Sequence, residues 1–72
     1  MTGLAVAFRH MARPGGPVLV WEDAPAVPQV GDRIRREGVT WLVVQVTWRG
    51  PRDVEVLVGD RDDPTAVIRA GR

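Results

Sequence analysis

Residues 33–49 read RIRREGVTWLVVQVTWR, and this stretch decides the fold. Residues 33–36 form a short segment around one isoleucine, and residues 39–49 form a long run rich in valine and threonine. β-Branched side chains suit a pleated strand better than a helix. Because Glu37 and Gly38 separate these two segments, the stretch predicts a β-hairpin that turns at Glu37-Gly38.

The register of this hairpin decides which side chains are buried. A two-residue turn would pair Arg36 with Val39 and bring two arginines beside the most apolar row of the long strand, which would bury unpaired charge. A three-residue loop with Gly38 in the left-handed conformation pairs Arg35 with Val39 and places Ile34 in the core. We therefore predict the three-residue loop and a positive φ at Gly38. The predicted core row of the long strand is Leu42, Val44, Val46 and Trp48.

In that register the outward row of the hairpin combines apolar and cationic side chains, namely Arg33, Arg35, Val39, Trp41 and Val43. Trp and Arg are favoured anchors of protein interfaces, so we predict that this row is a protein–protein contact. Two alternatives stay open. Either the chain's own N-terminus or tail covers the row, or the surface binds nucleic acid, with Trp41 stacking on a base and arginines contacting phosphates. That nucleic-acid surface would consist of Arg33, Arg35, Arg49, Arg52 and Trp41.

The segments that flank the hairpin predict a small all-β domain. Residues 4–10 alternate larger and smaller side chains, which predicts a first strand, and residues 18–21 predict a second one. Pro25 and Pro28 make residues 22–29 a stiff, extended connector. Gly50-Pro51 predicts a tight turn before a strand at residues 54–58. Five to six short strands within residues 1–72 predict one domain, a small antiparallel barrel whose closure removes exposed edges.

The segment at residues 64–70 has two interpretations. Asp63 followed by Pro64 fits a helix N-cap with proline at the first helical position, and Gly71 fits a C-cap, which gives a helix of two turns at most. Val67 and Ile68 equally suit an edge strand that closes the sheet. We favour the strand, because two isolated helical turns are marginally stable without packing.

The composition argues against enzymatic chemistry. The chain has no Cys, Ser or Lys and a single His, so disulfides, thiolate zinc sites and the usual nucleophiles are excluded. His10 is predicted to be an ordinary strand-end residue, since the sequence offers no partner that would orient it as a base. Asp60, Asp62 and Asp63 lack the spacing of a calcium loop and predict a solvated turn. We therefore predict a protein that is not an enzyme, with no catalytic residue, metal or cofactor.

Charge and hydropathy narrow the partners and the compartment. All ten basic residues are Arg, and with nine acidic residues they leave a net charge of +1. Strong nucleic-acid binders carry a larger basic excess, so proteins are the favoured partners. No apolar run approaches the roughly 18 residues that span a bilayer, and no basic region precedes the first apolar run as in a signal peptide. We expect no membrane association and no secretion by a signal peptide, hence a cytoplasmic protein.

Residues 27–46 carry a recognisable pattern. Val30-Gly31-Asp32-Arg33-Ile34 is followed by the turn glycine Gly38, the aromatic Trp41 and a series of spaced valines. The pattern resembles small SH3-like barrels, and in particular the head–tail joining proteins (adaptors or stoppers) of tailed bacteriophages and prophages. The resemblance implies an SH3-like barrel and a structural component of the virion. Such a component assembles as a homo-oligomeric ring and works through contacts with neighbouring subunits such as portal and tail proteins.

Overall fold

A computed structural model describes residues 3–71, which form a five-stranded sheet and one short helix. Strands make up 54% and helix 9% of the structure, so the expected mostly-β class is confirmed. The sheet is a curled half-barrel. Its strands are β1 (Leu4–His10), β2 (Leu19–Ala24), β3 (Arg33–Arg36), β4 (Val39–Gly50) and β5 (Asp53–Asp60), followed by the helix α1 (Pro64–Arg69). β2 extends three residues into the predicted connector.

The sheet is mixed, so the expectation of an all-antiparallel barrel is wrong. The strand order is β2-β1-β5-β4-β3, and the central pair β1–β5 is parallel, with Phe8 beside Val56. The other three pairs are antiparallel. The chain reverses direction at each connection, so the first and fifth strands run the same way. When these two strands become neighbours, their pairing is parallel.

The predicted register of the β3–β4 hairpin is also wrong, although its left-handed glycine is confirmed. Arg36 pairs with Val39 and Ile34 with Trp41, which is the register of a two-residue turn. Gly38 has a φ of +80°, and Glu37 also has a positive φ of +51°. Positive φ at both central residues defines the type I′ turn, whose twist matches that of the flanking strands.

A β-bulge explains how this register avoids burying the arginines. Val43 pairs with Val58 and Gln45 with Leu57, so Val44 is an extra residue in β4. Strand side chains alternate between the two faces with a period of two, so the extra residue reverses the alternation for all residues of β4 that follow it. Val43 therefore faces the main core before the bulge and Val46 packs against it afterwards. The single uninterrupted core row predicted for β4 does not exist, and Trp48, its last member, is 55% exposed.

The main core lies on the concave face of the sheet. β1 and β5 contribute alternate side chains that are almost completely buried, and β4 and β2 add one each. The buried members are Val6, Phe8, Ala24, Val43, Val54, Val56 and Val58. The valine-rich composition thus supplies five of the seven buried core residues, as expected for strands that pack on a pleated surface.

Residues 64–69 form a helix, so the favoured edge strand is wrong and the alternative is confirmed. The Asp63 side chain accepts a hydrogen bond from the Thr65 N–H at 2.9 Å, which caps the helix as the sequence indicates. The helix is stabilised by packing: Ala66 and Ala70 join Leu42 and Val44 in a second buried cluster on the convex face. Within residues 3–71, no helix has both the length and the apolarity needed to cross a membrane.

Candidate protein-binding groove

The connector between β2 and β3 crosses from one edge of the sheet to the other. These strands are the two edges of the sheet, and residues 25–32 alone join them. Val27 packs against the main core. The end of the connector is attached to β4 by two hydrogen bonds of 2.9 Å, one from the Gly31 N–H to the Val43 carbonyl and one from the Val43 N–H to the Asp32 carbonyl. Eight residues span at most about 28 Å, so this short link favours a curled sheet with its edges close together.

A groove remains between the two edge strands. Its first part, of about 220 Å³, is lined on one side by Leu19 and Trp21 of β2 and on the other by residues 34–36 of β3. Phe8 and Pro28 complete this lining. A second part, of about 290 Å³, shares Leu19 and Arg36 with the first and extends to the hairpin turn. Its further lining residues are Arg13, Val18, Glu37, Val39 and Trp41. We call both parts together the edge groove.

Large apolar side chains reach solvent along the edge groove. Trp21 is 44% exposed and Val39 is 47% exposed. Ile34 and Leu19 are partly buried and pack against the main core. The groove is therefore an open extension of the core, and a partner that covered it would remove apolar surface from water.

The charged residues that line the edge groove are mainly arginines. Arg13, Arg35 and Arg36 line it, and Glu37 is its one acidic lining residue. Within the part of the chain that the structure describes, none of these four side chains forms an ion pair. The groove thus combines an apolar surface with an excess of unneutralised positive charge, although the whole chain carries a net charge of only +1.

Three hydrogen bonds hold the loop that carries Arg13. The Arg9 guanidinium donates to the Gly15 carbonyl at 2.7 Å, and the Arg13 N–H donates to the His10 carbonyl at 3.0 Å. The Ala12 N–H donates to His10 Nδ1 at 3.1 Å. The backbone at Arg13 is therefore fixed to the end of β1, which places this arginine at the end of the groove nearest the hairpin turn.

His10 has a structural environment that the sequence did not reveal. Its side chain is 3% exposed, and Nε2 lies 3.0 Å from Oδ1 of Asp60. Because Nδ1 accepts the Ala12 N–H, the ring proton of the neutral form is on Nε2 and donates to Asp60. The ring also contacts Trp41 edge-on, with 6.3 Å between ring centroids. His10 thus connects β1 to the end of β5 and supports Trp41, with both of its nitrogens engaged.

The five residues predicted as a protein contact do not lie on one face. Val43 is fully buried, and Trp41 is half-buried against Phe8, with 6.3 Å between ring centroids. Val39 lines the edge groove. Arg33 and Arg35 pair with Leu42 and Thr40 and are exposed. The predicted outward row depended on the wrong register, and it is replaced by a groove to which Arg35, Val39 and Trp41 contribute.

The alternative nucleic-acid surface is divided in the same way. Arg35 pairs with Thr40 near the start of β4, whereas Arg49 lies near the end of that strand. Nine residues of strand separate these two levels by roughly 30 Å. Arg49 lies 3.7 Å from Glu55, a carboxylate that Arg9 also contacts at 3.3 Å. Arg52 occupies the β4–β5 turn, three residues after Arg49. The five proposed residues therefore belong to at least two separate regions.

The acidic turn after β5 has structural roles. Asp60 accepts from His10, and Asp63 caps α1. Asp62 lies 3.5 Å from Arg61. In the described part of the chain, residues 3–71, no cluster of three or more potential metal-ligating side chains occurs.

Sequence reasoning missed most of the edge groove. Leu19, Trp21 and Arg36 were not selected, because the predicted register was wrong and the sequence does not show that β2 and β3 form the two facing edges of one sheet. One signal was available: a short apolar strand at residues 18–21 is followed by a proline-stiffened connector that leads directly to the next strand. Comparisons with known proteins add no further assignment, since no family model, curated protein or solved structure matches the chain.

Proposed function

We propose that this chain is a non-enzymatic assembly protein that acts through protein–protein contacts, as a component of the head–tail connector of a tailed bacteriophage or prophage. The observation that carries the proposal is the edge groove, an apolar surface that continues the core and is left open between two edge strands. Open sheet edges pair readily with other chains, and exposed Trp and Arg are favoured in protein interfaces.

The small size of the domain and its exposed apolar residues support the same proposal. A 72-residue chain without disulfides buries a small core, so contacts with neighbouring subunits add stability that the isolated domain lacks. Further apolar contact points lie outside the groove, where Trp48 is 55% and Ile68 77% exposed. In the proposed assembly, copies of the chain meet through such points and the ring contacts portal or tail proteins. The SH3-like relationship and the virion location are part of this proposal and rest on the pattern at residues 27–46.

The experiment that tests the proposal is co-expression of the chain with the products of its neighbouring genes. We expect portal, capsid or tail proteins among those products and a stoichiometric complex that survives gel filtration. Native mass spectrometry of the complex would give the number of copies of this chain, which we expect to exceed one. A chain that stays monomeric and copurifies with none of these products would refute the proposal.

Titration with single- and double-stranded DNA at low and moderate salt tests the alternative. Nucleic-acid binding through arginines weakens steeply as salt rises, because each neutralised phosphate releases counterions. Association driven by apolar burial changes little with salt. Tight DNA binding that collapses with salt, together with the absence of any protein complex, would replace the proposed function by nucleic-acid binding.

A further inference from the structure

We propose that the edge groove receives an extended acidic segment of a partner protein, which adds to β3 as a sixth strand of the half-barrel. This inference rests on the proposed function and specifies how the partner is recognised. It predicts a segment in which apolar and acidic residues alternate, with the apolar side chains directed at the groove and the acidic ones on the opposite face, beside Arg33 and Arg35 of β3.

The backbone of β3 provides the first part of the argument. Within the described residues, β3 pairs with β4 on one side and with no strand on the other. Arg36 and Val39 close a two-residue hairpin, so they form a hydrogen-bonded pair. Antiparallel pairs alternate between hydrogen-bonded and non-hydrogen-bonded, so Arg33 and Arg35 direct their N–H and C=O groups away from β4. These groups form the edge to which an added strand would pair.

The apolar lining provides the second part. An extended segment paired with β3 would place alternate side chains over Phe8, Leu19 and Trp21, which line the groove opposite β3. Phe8 is 1% exposed, so such side chains would continue the existing core and would not need a new cavity. The connector at Pro28 limits the groove at one end. A short segment of apolar residues at every second position therefore fits the site.

The positive charge of the groove favours an acidic partner segment. Arg13, Arg35 and Arg36 line the groove against Glu37 alone, which favours an acidic segment. A second copy of the chain is disfavoured as the occupant, since pairing two β3 strands would bring three arginines of each copy together. Like charges on opposed strands destabilise the pairing, and charged edge strands are a common protection against self-association. The arginines of β3 thus oppose self-pairing and attract an acidic partner strand.

The test uses the folded full-length chain and a defined probe, the capped peptide Glu-Val-Glu-Val-Glu-Val-Glu, observed by NMR titration of backbone amides. We expect a Kd between about 10 μM and 1 mM, as for a short strand without side chains optimised for the site. The largest shift changes should occur at residues 33–36 and 19–21. The matching peptide with Lys in place of Glu should bind at least about fivefold more weakly, because it opposes the groove arginines.

Two further comparisons distinguish strand addition from non-specific electrostatic attraction between the peptide and the protein. N-methylation of alternate peptide residues removes the backbone N–H donors along one edge of the peptide. When the methylated edge is the one that pairs with β3, binding should weaken by about tenfold or more. R35E should weaken binding by about threefold or more, whereas R69E, with the same charge change on α1, should leave it within about twofold. The amide spectra of both variants would verify that they are folded.

Four results would overturn the proposal. They are no binding of the acidic peptide at millimolar concentration, binding insensitive to N-methylation, equal losses in R35E and R69E, and concentration-dependent self-association that R35E abolishes. The last result would identify a second copy as the occupant. If the peptide fails to bind while portal or tail proteins copurify with the chain, the groove proposal fails and the assembly function stands. Peptide binding without any assembly would instead refute the assembly function alone.

Discussion

Substitution of Gly59 by alanine should strongly destabilise the fold, because α1 packs on this glycine. Gly59 is a buried residue of β5. A Cβ built on it would lie 2.6 Å from the Cβ of Ala66 and 2.6 Å from the Sδ of Met11. The Met11 side chain is flexible and can move, whereas the Cβ of Ala66 is held by the helix backbone. The helix must therefore shift by roughly 1 Å to restore ordinary contact distances near 3.5–4 Å.

The magnitude follows from the cost of overpacking. Adding a methyl group to a well-packed site typically costs about 1–3 kcal/mol. In a domain of this size, 1 kcal/mol lowers Tm by roughly 4–8 °C, so a loss of about 2 kcal/mol lowers it by about 8–16 °C. The whole domain is expected to be stable by only about 4–11 kcal/mol, so the effect is a large fraction of the total.

The assay is thermal and urea unfolding of G59A, followed by far-UV circular dichroism. G50A is the matched control, since a Cβ at Gly50 meets only the Cβ of Asp53 at 3.8 Å. We expect the free energy of unfolding of G50A to stay within about 0.5 kcal/mol of the unchanged protein. The double variant G59A/A66G should recover about 1 kcal/mol relative to the sum of the single variants, because removing the Ala66 Cβ opens the space. Additive single effects, or equal losses in G59A and G50A, would refute the assigned packing of α1.

Three further predictions concern local features of the fold, and each is measured as a change in urea midpoint. E37N should stabilise the protein by up to about 1 kcal/mol, since Glu37 has a φ of +51° and asparagine tolerates that conformation better; a loss of stability would contradict the type I′ turn. D63A should cost about 1 kcal/mol by removing the N-cap of α1, and D63S should retain most of the stability; equal effects would argue against capping. D60A should cost about 1–3 kcal/mol because the buried His10 loses its acceptor, whereas D60N, which keeps an acceptor oxygen, should cost less; the reverse order would contradict the assigned hydrogen bond.

Local sequence patterns were enough to place most strands. The alternation at residues 4–10 and the valine-rich run that begins at Val39 reflect side-chain periodicity, which is a property of each segment alone. The turn at Glu37-Gly38 and the Asp63 cap followed local rules as well, since a left-handed glycine and an N-cap are determined by a few neighbouring residues. These features were predictable because their causes lie within a few positions of the chain.

Tertiary structure decided the features that depend on distant partners. The bulge at Val44 changed the face of half of β4, and local alternation could not reveal it because the partner strand β5 fixes the pairing. The α1 helix forms because Ala66 and Ala70 find Leu42 and Val44 on the convex face, although its isolated turns are weak. The Asp60 partner of His10 lies 50 residues away in the chain.

The candidate site belongs to this second group. The sequence by itself determined that the chain is mostly β, that its hairpin carries Trp41 and a series of arginines, and that usual nucleophiles are missing. It did not determine that β2 and β3 would become facing edges, because that follows from the parallel pairing of β1 with β5 and from the short connector between the edge strands. A groove between two edges depends on the strand order and the curl of the whole sheet, and no single segment encodes it.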